Sequence, residues 1–192
     1  MRALLAAFGD PGHAFPMIAL GRALAARGHD VTLQTWRRWQ MSVEAEELRF
    51  AAAPEYQVFP SGPERLDFYE AAVQAARDTL PLVREQDPHV VVADILTLAP
   101  ALAAELEGRP WATLIPHVYP PGEQDFPIYS LGARLPRTAL GRALWRAAQG
   151  PVAGGLELGR VELNRARAQL GLEPLAHVHG GISRELAPVA PT

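Results

Sequence analysis

The residues best suited to chemistry fall in two short stretches. The first is Gly9-Asp10-Pro11-Gly12-His13-Ala14-Phe15-Pro16, which follows an apolar run over 3–8. An imidazole exchanges a proton near neutrality. Placed just before a helix start, His13 feels the positive end of the helix, which disfavours the imidazolium and leaves the ring able to accept a proton. A neighbouring carboxylate would fix its tautomer and restore basicity, as in a Ser-His-Asp triad. An isolated His in a Gly/Pro loop also reads as a residue that caps the helix or fills the turn. The second stretch is His89-Val90-Val91-Val92-Ala93-Asp94. Asp94 ends an apolar strand pattern, so its side chain emerges at the same sheet edge as His13. The same position reads equally well as the N-cap of a helix reached through Ile95-Leu96-Thr97. Asp10 competes for the role of partner to His13, although an Asp before Pro in a turn is usually structural.

Other chemistry has less support. The first loop is G-x-x-G-H-x-x-P and lacks the G-x-G pair of a dinucleotide site, and Pro16 stands where that motif needs its third small residue. The second strand ends in Thr35-Trp36-Arg37-Arg38 rather than in the acidic residue that holds an NAD ribose. The two arginines fit an NADP 2′-phosphate, which keeps a dehydrogenase as a minor alternative. His177 and His179 form an H-x-H without a third ligand nearby, so no metal site is expected. No G-x-S-x-G elbow or Walker A loop occurs. Gly12, Phe15, Trp36, Tyr119, Phe126 and Tyr129 lie in segments able to line an apolar substrate pocket, and the aromatic ones serve equally well as covers for a sheet edge.

The elements that must position these residues alternate. Strands are expected at 3–8, 30–35, 49–52, 89–93 and 111–115, from continuous apolar or β-branched runs. Between them the spacing predicts helices over 16–27, 41–48, 66–86 and 98–107. Pro16 is expected at the first helical position, Gly28 and Gly108 as stops, and Pro81 as a kink or restart. After a long Pro- and aromatic-rich loop at 116–136, two helices at 137–149 and 152–170 are expected, broken at Gly150-Pro151, and one more strand at 185–190. This βα alternation implies a parallel, Rossmann-like α/β sheet flanked by helices, with ligands at the carboxyl ends of the strands. No internal boundary is visible, so 1–192 reads as one domain.

Bulk properties narrow the classes further. Among 192 residues, 18 basic and 21 acidic side chains leave a net charge of −3, so no basic field points to nucleic acid or an anionic membrane. The chain has no Cys, which suits a reducing cytoplasm. The initial apolar run ends too early for a signal peptide, and no stretch approaches the roughly 20 residues of a membrane span. A cytoplasmic protein is expected.

The stretch Gly12-His13-Ala14-Phe15-Pro16, continued by Leu20, Leu24 and Arg27-Gly28-His29-Asp30-Val31-Thr32, resembles the amino-terminal signature of the GT-B glycosyltransferases of family 1. That family includes UDP-glycosyltransferases and enzymes that glycosylate natural products, antibiotics among them. Pro88 through Asp94, with Ala103-Ala104-Glu105-Leu106 and Gly108-Arg109-Pro110, resembles a second family block. A looser third match is Leu163 through Leu172. The resemblance implies the N-terminal half of a GT-B fold, which binds the acceptor, the donor-binding C-terminal domain being absent from this chain. It implies inverting, metal-free transfer from a nucleotide-sugar, a co-substrate rather than a cofactor, with His13 as base and Asp94 orienting it. Some antibiotic-acting members carry Asp at the His position, and this chain keeps the His. The expected partners are an apolar small-molecule acceptor, a nucleotide-sugar held through the missing domain, and a second copy in a homodimer. Alone, the chain is expected to be inactive. The alternative within the resemblance is a non-catalytic or split-enzyme partner of a separate donor-binding subunit.

Overall fold

The structure is a computed structural model that describes residues 1–55, 68–116, 134–176 and 183. Five parallel strands form one sheet: β1 (Arg2–Ala6), β2 (Asp30–Thr35), β3 (Arg49–Ala52), β4 (Val90–Asp94) and β5 (Trp111–Leu114), in the order β3-β2-β1-β4-β5. Helices α1 (Pro11–Ala25), α2 (Gln40–Glu44), α3 (Phe68–Gln86), α4 (Leu98–Leu106) and α5 (Ala139–Gln169) are the described α-helices. The α/β Rossmann-like reading holds. The expected strand at 185–190 lies outside the described residues.

Leu4 and Leu5 are both fully buried, because each face of β1 is covered. Leu5 belongs to a core with Met17, Ile18, Val31, Leu33 and Val43, on the side of α1 and α2. Leu4 packs with Val83, Val91, Ala103 and Ala104, on the side of α3 and α4. A strand buried on both faces must be apolar at every position, which is why 3–8 shows no alternation. Chain order reverses direction between β1 and β4: β1, β2 and β3 run outward one way, β4 and β5 the other. The carboxyl ends of β1 and β4 therefore flank the crevice where open α/β sheets bind ligands.

Helix α2 ends at Glu44, short of the expected 48, and three helices differ from expectation at their prolines. Helix α1 begins at Pro11, not at Pro16, so the whole Gly12–Pro16 stretch is helical. Pro11 takes the first-turn place that suits its missing N–H, and Pro16 lies within the helix. Helix α3 runs through Pro81, and α5 runs unbroken through Gly150-Pro151. Each proline removes the N–H that would bond the carbonyl four residues earlier, at Arg77 and Ala147. Both of those residues are exposed, so water can serve the carbonyls and the helices continue. Gly28 closes α1 as expected, in the left-handed region at φ 78°.

Helix α5 is tied to the rest by Arg167, which is buried. Its Nη1 and Nη2 donate to Glu105 of α4 at 3.2 and 2.8 Å, and its Nε donates to the Glu173 carbonyl at 2.7 Å. Removing the partner of a buried guanidinium is costly because the charge remains without its counter-ion. Glu105→Ala should lower the unfolding free energy by about 2–3 kcal/mol, below the fully buried case because Glu105 is partly exposed. Urea denaturation with an unchanged m-value checks this.

Candidate active site

The carboxyl end of β1 leads through Ala7, Phe8 and Gly9 into the first turn of α1. Asp10 holds the N-cap position in extended backbone, and its carbonyl accepts the N–H groups of His13 and Ala14 at 3.0 and 2.8 Å. His13 is therefore a first-turn residue whose side chain is aimed by the helix rather than by a flexible loop. Next to β1, strand β4 pairs Ala6 with Ala93 and ends at Asp94. Adjacency at the reversal point of the sheet brings the two side chains together. His13 Nδ1 donates to Asp94 Oδ2 at 2.7 Å. A carboxylate oxygen only accepts, so Nδ1 carries the proton and Nε2 is the basic nitrogen of the neutral ring.

Asp94 has no exposed side-chain surface, while His13 keeps 15% of its side chain exposed. The other carboxylate oxygen, Oδ1, accepts the Leu96 N–H at 2.8 Å. Asp94 is not the cap of α4: that position belongs to Thr97, whose side chain makes no capping bond. Its carboxylate instead spans a two-residue turn and the imidazole. The hydrogen bond and charge of Asp94 raise the His13 pKa above its usual 6.5, with burial opposing and the Asp10 charge adding a little. The carboxylate thus outweighs the effect of burial.

Phe8 meets the His13 ring edge-on, with centroids 6.1 Å apart, and meets Trp36 at 5.0 Å. Phe8 and Trp36 also line a recess of about 90 Å³ between the sheet edge, α3 and α4. Ala71, Ala72 and Ala75 of α3 leave the room for it, and Pro54, Leu96 and Leu98 extend its apolar wall. Gln34, Thr79 and Thr97 are its polar groups, with Gln34 Nε2 donating to Thr79 Oγ1 at 3.4 Å. His13 is not a wall of this recess but stands beside it across Phe8.

The remaining expected site residues separate into three groups. Trp36 joins the recess. Gly12 lies in the first turn of α1 with open space where a side chain would be, and Phe15 is exposed and packs edge-on against Trp39 at 5.0 Å. Tyr119, Phe126 and Tyr129 lie outside the described residues, as do His177 and His179. Arg38, which together with Arg37 supported only the minor dehydrogenase alternative, donates through Nη2 to the Gly9 carbonyl. Sequence reasoning missed Phe8, Gln34, Thr79 and Thr97. The first looked like the last residue of a buried strand, and the others become a set only when α3 folds over the sheet edge. Among the described residues, no group of three or more His, Asp or Glu side chains is placed to hold a metal ion, and no helix is long and apolar enough to cross a membrane.

No protein-family model matches the chain. Among curated proteins, it is 31% identical to the L-demethylnoviosyl transferase of Streptomyces niveus over 150 residues, covering 70% of this chain and 38% of that protein. Among solved structures it is similar to the glycotransferase of kitacinnamycin, with TM-score 0.65 and 18% identity over 98% of this chain and 45% of that one. It is likewise similar to the glycosyltransferase SsfS6 of Streptomyces sp. SF2575, with TM-score 0.60 and 20% identity over 91% of this chain and 47% of that one. The chain spans less than half the length of these relatives.

Proposed function

Because this chain belongs to the glycosyltransferases of GT-B fold, we propose that it forms the acceptor-binding side of an inverting sugar transfer with His13 as base. The observation that carries the reading is the 2.7 Å contact between His13 Nδ1 and the buried Asp94, at the reversal point of the sheet. An acceptor hydroxyl placed at Nε2 loses its proton to the imidazole as its oxygen attacks the anomeric carbon. The bond from that carbon to the nucleotide diphosphate breaks, and the diphosphate leaves with the electron pair. Asp94 holds the imidazolium through Nδ1 and prevents the ring from turning its proton-bearing nitrogen toward the acceptor. Base assistance of this kind is worth on the order of 10² to 10⁴ in rate, and holding the hydroxyl in line supplies further acceleration.

The apolar recess beside His13 has room for part of an acceptor, such as one ring of a phenolic or polyketide-like aglycone, and its lining favours hydrocarbon with few polar groups. The nucleotide-sugar is proposed to be a thymidine diphosphate sugar, since SsfS6 has been crystallised with thymidine diphosphate. Most of its contacts would come from a second domain of the full-length protein. Within this chain, the start of α1 can offer a phosphate its backbone N–H groups and a helix end.

Calorimetry on the 192-residue chain tests this division of labour. A phenolic acceptor such as 4-methylumbelliferone should bind weakly, with a negative heat-capacity change from apolar burial, and UDP- and TDP-sugars should give no measurable heat. Micromolar binding of either nucleotide-sugar would place the donor site in this chain and overturn the assignment.

A further inference from the structure

The segment Trp36-Arg37-Arg38-Trp39 grips the backbone just ahead of α1. The Gly9 carbonyl accepts two side-chain donors, Trp39 Nε1 at 2.8 Å and Arg38 Nη2. The Arg38 guanidinium lies 5.1 Å from the Trp36 ring and 5.3 Å from the Trp39 ring, and its Nη2 is 3.7 Å from Asp10 Oδ1. Trp36 covers Gly9 so closely that a Cβ there would run into its indole ring. The segment is itself anchored: Trp39 packs against the core beneath α1, and the Arg37 N–H donates to Glu55 Oε1 at 3.0 Å.

Gly9 is buried, so its carbonyl needs a protein partner, and one would suffice. Here an indole N–H and a guanidinium converge on one peptide unit, the Trp36 ring covers it, and the Trp36 and Trp39 rings flank the guanidinium. The residue that follows it, Asp10, supplies the carbonyl to which the His13 N–H is bonded. We propose that Arg38 and Trp39, with Trp36 closing the space at Gly9, are positioning residues for His13: by fixing the Gly9–Asp10 peptide they hold the imidazole at Asp94. The catalytic consequence rests on His13 being the base, whereas the placement of the ring does not. A displacement near 1 Å at a reacting group can cost about 10²-fold in rate, so a clamp on this peptide has a large effect to protect.

The test is NMR of the His13 ring in Trp39→Phe and Arg38→Gln, which needs no substrate. Trp39→Phe keeps an aromatic ring and removes the donor. Asp94 and Asp10 are the charged groups facing His13 among the described residues, with Arg38 beyond Asp10. Removing Arg38 unscreens Asp10 and by itself would raise the His13 midpoint. Trp39→Phe changes no charge, so it decides. In that variant the midpoint should fall toward 6.5 and the downfield Nδ1 proton should broaden. In Arg38→Gln the same proton should broaden with the fold intact. In the intact enzyme, kcat of Trp39→Phe should drop about tenfold with acceptor KM unchanged. A wild-type midpoint and a sharp Nδ1 proton in Trp39→Phe would overturn the proposal. If the NMR changes appear but His13→Ala turns over like wild type, the base assignment fails and the clamp stands.

Discussion

His13→Ala in the full-length enzyme is expected to lower kcat at least about 10²-fold with little change in acceptor KM. The ring stands at the crevice with one nitrogen committed to a buried carboxylate, so its deletion removes proton acceptance and little binding surface. Removing the ring also takes the imidazole donor from Asp94 Oδ2, while Oδ1 keeps the Leu96 N–H at 2.8 Å. Some loss of stability should accompany the loss of rate, and thermal unfolding of the variant separates the two. Free imidazole should restore part of the turnover, since the cavity left by the side chain admits the same ring. Turnover within a few-fold of wild type would remove His13 from the mechanism.

Asp94→Asn should lower turnover, though less than the His13 change does, because the ring remains and can still sample the tautomer with a basic Nε2. The carbonyl oxygen of the substituted amide can keep the Leu96 N–H, which directs the amide N–H toward His13 Nδ1. A donor facing Nδ1 favours the tautomer with its proton on Nε2, where an acceptor hydroxyl cannot be deprotonated. The pH dependence follows with a definite sign. The His13 pKa is raised, chiefly by the Asp94 hydrogen bond, so kcat/KM of the wild type should fall as pH drops through a value above 6.5. In Asp94→Asn that acidic limb should move to lower pH. The same linkage acts on stability. A raised pKa means that the fold favours the imidazolium. The His13–Asp94 contribution is fully present below the unfolded value near 6.5 and is lost as pH rises through the folded one. Asp94→Asn should therefore destabilise the chain more at about pH 5 than at about pH 9, which urea midpoints at the two pH values check.

Strand positions were legible because a sheet covered on both faces demands unbroken apolar runs, and Leu4-Leu5 and Val91-Val92 supply them. The pairing of His13 with Asp94 was legible for the same reason. Both side chains follow such runs, and the order of strands in a doubly wound sheet makes β1 and β4 neighbours. Helix ends were less legible. Pro16 has two permitted places, first turn or interior, and the competing Pro11 took the first turn because Asp10 could stand extended before it. Pro151 and Pro81 looked like breaks, but exposure of Ala147 and Arg77 makes the lost bonds tolerable. The contact of Arg38 was not legible because sequence shows an arginine at a strand end and not the carbonyl of Gly9, 29 residues away. The recess owes its room to three alanines of α3, and a small residue announces a cavity only once its neighbours are known.

In the proposed mechanism, proton transfer to His13 ties the geometry of this crevice to turnover. The most direct measurement compares two titrations: the His13 ring followed by NMR, and the acidic limb of kcat/KM for the full-length enzyme. That limb reports ionisation in the free enzyme. Both midpoints should coincide above 6.5 and move down together in Asp94→Asn. An acidic limb that stays in place while the His13 midpoint moves would show that another group accepts the proton.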